Sequence, residues 1–135
     1  MRILCVFHEK EVEVLSPDPA RELAGHTVEC VSTYRGAQDI LREAGFGFHI
    51  ILADAQVPFT AQDEPSMPST LLISCFKNVG VRGFGIFIPA HFTTEGAIPE
   101  CDDFAIVASK GCATPTGQRD WKKLLSLVQE QMHWV

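Results

Sequence analysis

Apolar residues in this chain gather in short runs separated by polar, Gly- and Pro-punctuated stretches. Arg2-Ile3-Leu4-Cys5-Val6-Phe7 is the first run and reads as a central strand. From Val12 to Gly25 the chain should cross over, but Pro17 and Pro19 forbid a continuous helix through its middle. Asp18 as N-cap with Pro19 at the first helical position predicts a short helix from Pro19 to Ala24, closed by Gly25. Glu11-Val12-Glu13-Val14 alternates and is equally compatible with a strand. His26 to Ser32 alternates apolar and polar, as a half-exposed edge strand does.

Gly36 to Gly45 carries Ala37, Ile40, Leu41 and Ala44 at i, i+3, i+4 and i+7, which predicts an amphipathic helix stopped by Gly45. Phe48 to Ala53 is almost wholly apolar and ends in Asp54, the pattern of a strand buried on both faces of a parallel sheet. Phe59 to Pro68 is a polar loop, longer than most connections between a strand and a helix. Ser69 to Asn78 reads as a helix capped by Ser66 or Ser69, and Gly83 to Ala90 as a fourth strand that ends next to His91. Phe92 to Cys101 has room for at most a short helix. Asp103 to Ala108 is a fifth strand and Ser109 to Gly117 a loop. Asp120 to Met132 is a closing amphipathic helix with Trp121, Leu124, Leu125 and Val128 inward. Strands alternating with helical segments make a (βα)5 pattern, hence a three-layer α/β domain with a mainly parallel sheet.

Composition narrows the class without changing it. At 135 residues one domain is expected, and 46% hydrophobic with 21% charged residues excludes wholesale disorder. The formal charge of −6 and the lack of any basic tract argue against a nucleic-acid surface. No apolar run approaches the roughly 20 residues that span a bilayer, and the first apolar run is too short for a signal-peptide core. Five cysteines, at 5, 30, 75, 101 and 112, are odd in number and lack a C-x-x-C. That pattern fits reduced thiols and a cytoplasmic location.

Candidate chemistry centres on Asp54, which ends the apolar strand and is followed four residues later by Pro58. In open α/β sheets, ligand and catalytic groups stand just past the carboxyl ends of such strands. Three features together resemble the receiver domain of bacterial two-component response regulators. They are the first strand, Met1 to Val6; the apolar run with D-x-x-x-P, Ile50 to Pro58; and the acidic-acidic-aromatic lead-in Asp102-Asp103-Phe104. The resemblance covers nearly the whole chain in length and element order. It implies a flavodoxin-like fold with strand order 2-1-3-4-5 and a phospho-acceptor at Asp54.

The same resemblance implies acidic residues directly after the first strand, which hold Mg²⁺ with the acceptor. Here those places read Phe7 and His8, with only the following Glu9 acidic. The family's Ser/Thr at the end of the fourth strand is matched by Ala90, and its lysine by Lys110, about three residues late and followed by Gly111. Without the metal, a phosphoryl donor meets a repelling carboxylate, so transfer to Asp54 is expected to be slow or absent. The expectation is a degenerate pseudo-receiver: a signalling or interaction module, not an enzyme, that acts through a protein partner such as a kinase or output protein. No cofactor is expected, and Mg²⁺ only if the acceptor site still works. No nucleic acid or membrane partner is expected. The apolar end, Met132 to Val135, packs back on the core or forms a homodimer contact.

The competing reading is a metal or enzymatic site. His8, Asp54 and His91 are predicted at the carboxyl ends of the first, third and fourth strands, and two imidazoles with a carboxylate suit Zn²⁺ or another transition metal. A cysteine activity at Cys112, beside Ser109 and Lys110, is the weakest of the three.

Overall fold

The structure, a computed structural model, describes residues 1–7, 19–44, 47–54, 57–64, 70–87, 105–109 and 120–132. In chain order the elements are β1 (Arg2–Val6), α1 (Pro19–Glu22), β2 (Thr27–Val31), α2 (Tyr34–Ala44) and β3 (Ile50–Asp54). They continue with α3 (Thr70–Asn78), β4 (Gly83–Phe87), β5 (Ala105–Ser109) and α4 (Trp121–Met132). The protein is α/β with an all-parallel sheet. β1 pairs with both β2 and β3, β3 with β4, and β5 runs parallel along β4, giving the order β2-β1-β3-β4-β5. This order is compatible with a flavodoxin-like fold.

β1, β3 and β4 each bury their two faces into different packing layers, because successive side chains point to opposite sides. Leu4, Val6, Ile51, Ala53, Phe84 and Ile86 meet Tyr34, Ala37 and Leu41 of α2 and Leu72, Ile73 and Phe76 of α3. On the other face Ile3, Cys5, Phe7, Ile50, Leu52 and Phe87 meet Leu23, just past α1, and Trp121, Leu124, Leu125 and Val128 of α4. Helices therefore cover both faces. β3 and β4 are buried along their whole length, whereas β2, at the sheet edge, is only half covered.

Local chemistry sets the helix ends. Thr33 caps α2: its hydroxyl accepts from the Gly36 amide at 3.0 Å. Asp120 caps α4 in the same way, accepting from the Lys123 amide at 3.1 Å. At the end of α3, Gly80 adopts φ 93°, and the Gly80 and Val81 amides donate to the carbonyls of Lys77 and Phe76. This is the double closure of a Schellman motif, in which the left-handed residue is best supplied by glycine.

Several boundaries differ from the sequence reading. α1 stops at Glu22 instead of Ala24. β5, described over Ala105–Ser109, runs one residue past the expected Ala108, while residues 103–104 lie outside the described residues. α2 begins at Tyr34, two residues before the expected Gly36, because Thr33 supplies the cap. The expected alternation over 11–14, the proposed caps Ser66 and Ser69, and the short helix over 92–101 lie outside the described residues. Among the described residues no helix is long and apolar enough to cross a membrane.

Candidate functional site at the carboxyl edge

The chain leaves β1 for β2 on one side, then crosses back to β3 on the other. The switch point therefore lies between the carboxyl ends of β1 and β3, where open α/β sheets form their ligand crevice. Phe7 and Asp54 stand on either side of it. Val6 pairs with Ala53 and Asp54 pairs with Phe87, so the line across the edge reads Phe7, Asp54, Phe87. The Phe7 amide donates to the Val31 carbonyl at 3.0 Å, which extends the ladder by one residue beyond β1.

Asp54 is only 4% exposed, and both flanking phenylalanines are buried. Phe7 and Phe87 converge on Trp121, the first residue of α4. Their ring centroids lie 5.7 and 4.9 Å from the indole, both edge-to-face. Such pairs contribute roughly 0.5–1.5 kcal/mol each beyond their burial. The aromatic trio ties the carboxyl edge of the sheet to the last helix.

Tyr34 reaches Asp54 from α2. Its hydroxyl donates to the Asp54 backbone carbonyl at 3.5 Å, and its ring lies 6.4 Å from that of Phe76. Burial raises the Tyr34 pKa well above the ordinary phenol value, and the Asp54 carboxylate raises it further. The tyrosine is thus a neutral donor. The loop after β3 folds over the same helix start: the amides of Tyr34 and Arg35 donate to the carbonyls of Pro58 and Phe59 at 3.1 and 2.9 Å. Val57 and Pro58 are buried under this closure. The first amides of α2 are therefore committed to the chain itself.

A cleft of about 280 Å³ opens beside this site at the carboxyl ends of β1 and β2, lined by Phe7, Cys30, Val31, Ser32, Thr33 and Gly36. Its described walls carry no ionisable group other than the Cys30 thiol.

The structure places Asp54 at the carboxyl end of β3, as expected, and Phe7 directly beside it. His8, Glu9, Ala90, His91, Lys110 and Cys112 lie outside the described residues, as does the side chain of Ser109. Among the described residues no group of three His, Cys, Asp or Glu side chains could hold a metal ion. Mg²⁺ demands an octahedron of oxygens, and Phe7 offers none from its side chain.

Sequence reasoning missed Tyr34 and the role of Trp121 at this edge. Tyr34 was legible: it extends the apolar series Ala37 and Leu41 back by three residues, and Thr33 before it is a capping residue. The packing of Trp121 on Phe7 and Phe87 joins distant parts of the chain and has no local signal. No family model matches the chain, and no match was found among curated proteins or solved structures.

Proposed function

We propose that this chain is a receiver-like module of the flavodoxin-like (βα)5 type whose acceptor position, Asp54, no longer takes part in Mg²⁺-dependent phosphoryl transfer. One observation carries the reading: beside Asp54, where a working receiver would place a metal-binding acid, stands the buried ring of Phe7, packed edge-on against Trp121. The strand order and the position of Asp54 at the switch point support the receiver-like half of the proposal. The aromatic flank supports the degenerate half. Phosphoryl transfer depends on positioning and on neutralising charge, and an apolar edge around a single described carboxylate supplies neither.

Such a module signals through contacts with a protein partner, a kinase or an output protein, and not through its own chemistry. It would do so in the cytoplasm, without nucleic acid or membrane as partner. The test is a titration of ¹⁵N-labelled protein with Mg²⁺ and beryllofluoride, an analogue of the acyl phosphate. The amides of Ala53, Asp54 and Val57 are expected to keep their positions. Saturable shifts of those amides would overturn the proposal and restore an ordinary phospho-switch.

A further inference from the structure

We propose that Cys5 and Cys30 form a reversible, oxidant-responsive disulfide across the β1–β2 pair. The two residues are direct partners in the parallel register of these strands. Residues opposite one another in a sheet point to the same face, so the two thiols stand side by side. The packing layers agree. Cys5 belongs to the layer under α4, and Val28, two residues before Cys30 and so on the same face of β2, packs against that layer.

The spacing is compatible with a bond, though not a relaxed one. Neighbouring strands lie about 4.8 Å apart, inside the roughly 4.4–6.8 Å between Cα atoms that a disulfide tolerates. Parallel side chains keep that separation at Cβ, a few tenths of an ångström above the roughly 3.5–4.5 Å a disulfide prefers. β2 must therefore shift inward slightly. Among the described strands β2 ends the sheet and pairs only with β1, which leaves it freer to shift than the central strands. A bond held under such tension is readily reduced, which suits a switch rather than a permanent staple.

Access divides the labour between the two sulfurs. Cys30 is exposed and lines the 280 Å³ cleft, whereas Cys5 is fully buried. With a low-molecular-weight disulfide as oxidant, the Cys30 thiolate attacks one of its sulfurs. A mixed disulfide forms and one thiolate leaves. The Cys5 thiolate then attacks the Cys30 sulfur and expels the second thiolate. The protein loses two electrons and two protons, and the oxidant becomes two thiols. This pairing is independent of any role for Asp54.

Trypsin puts each of the five cysteines on its own peptide, with Cys5 on residues 3–10 and Cys30 on 22–35. The folded full-length chain is treated with oxidised glutathione, quenched by alkylation under denaturing conditions, digested and analysed by mass spectrometry. The expected product is a 3–10/22–35 linked peptide, lost again on treatment with dithiothreitol. Cys5→Ala should stop at glutathione on Cys30, and Cys30→Ser should leave Cys5 alkylated and unmodified. Glutathione retained on Cys30 in the wild-type chain with Cys5 still alkylated would overturn the proposal. So would linkage of Cys5 or Cys30 chiefly to another cysteine, or a 3–10/22–35 link that appears only after unfolding.

Discussion

Tyr34 is the chain's single tyrosine, so its ionisation can be read without interference. Burial first, and the Asp54 carboxylate second, hold the hydroxyl in its neutral form. An absorbance titration of the folded protein should show no tyrosinate at the ordinary midpoint of about pH 10. Asp54→Asn removes the second cause only, and should lower the midpoint while leaving it above that value. A wild-type midpoint near 10 would contradict the placement of Tyr34. The linkage has a definite sign. Above about pH 10 the unfolded chain releases this proton while the folded chain retains it, so the unfolded state binds fewer protons. Stability is unaffected by this group below about pH 10, and falls as pH rises beyond it. Phe7 is the second residue that decides the account. Phe7→Leu keeps an apolar filling and should cost about 1 kcal/mol. Phe7→Asp opens the aromatic trio and buries a charge, and should cost about 3–5 kcal/mol by urea unfolding. Equal costs would show that Phe7 is not a core residue.

Among the elements, β4 and α4 approach each other closely at Gly85. A Cβ at Gly85 would lie 2.8 Å from Val128 Cγ2 and 2.9 Å from both Leu124 Cγ and Leu52 Cδ2. Only glycine lets α4 settle that near the sheet, and α4 carries Trp121 to the carboxyl edge. Gly85→Ala should therefore destabilise the protein by about 1–3 kcal/mol, measured by chemical denaturation. An unchanged midpoint would mean that α4 sits further out. Gly83-Phe84-Gly85 in the sequence marks the start of a strand, yet the reason for its second glycine is a tertiary contact that no local pattern reveals. The same division runs through the fold. The inward series Trp121, Leu124, Leu125 and Val128 is periodic and was legible, and so was the β3 run ending at Asp54. The first turn of α2 was hidden because Gly36, a weak helix former, looks like a beginning when Thr33 is the cap. The partnership of Cys5 with Cys30 depends on strand register, which only pairing fixes.

For the molecule as a whole, strand order decides where function can lie. The order β2-β1-β3-β4-β5 puts the switch point at β1 and β3, so Asp54 occupies the place where such a sheet gathers chemistry. The sequence located that carboxylate correctly. It could not show that the neighbouring ring turns into the core to meet Trp121, because the two are far apart in the chain and meet only through packing. The carboxylate at the switch point stands between two buried aromatic residues and beside a neutral tyrosine, and on the proposed reading it is an acceptor position in apolar described surroundings. The net charge of −6 adds a general repulsion toward phosphorylated donors, which a bound metal would otherwise offset locally. The direct measurement is incubation of the intact protein with acetyl phosphate and Mg²⁺, followed by intact mass and by reductive trapping of acyl phosphates. The account expects no stoichiometric phosphoryl adduct at Asp54, with Asp54→Asn indistinguishable from wild type. A stoichiometric adduct that Asp54→Asn abolishes would contradict it.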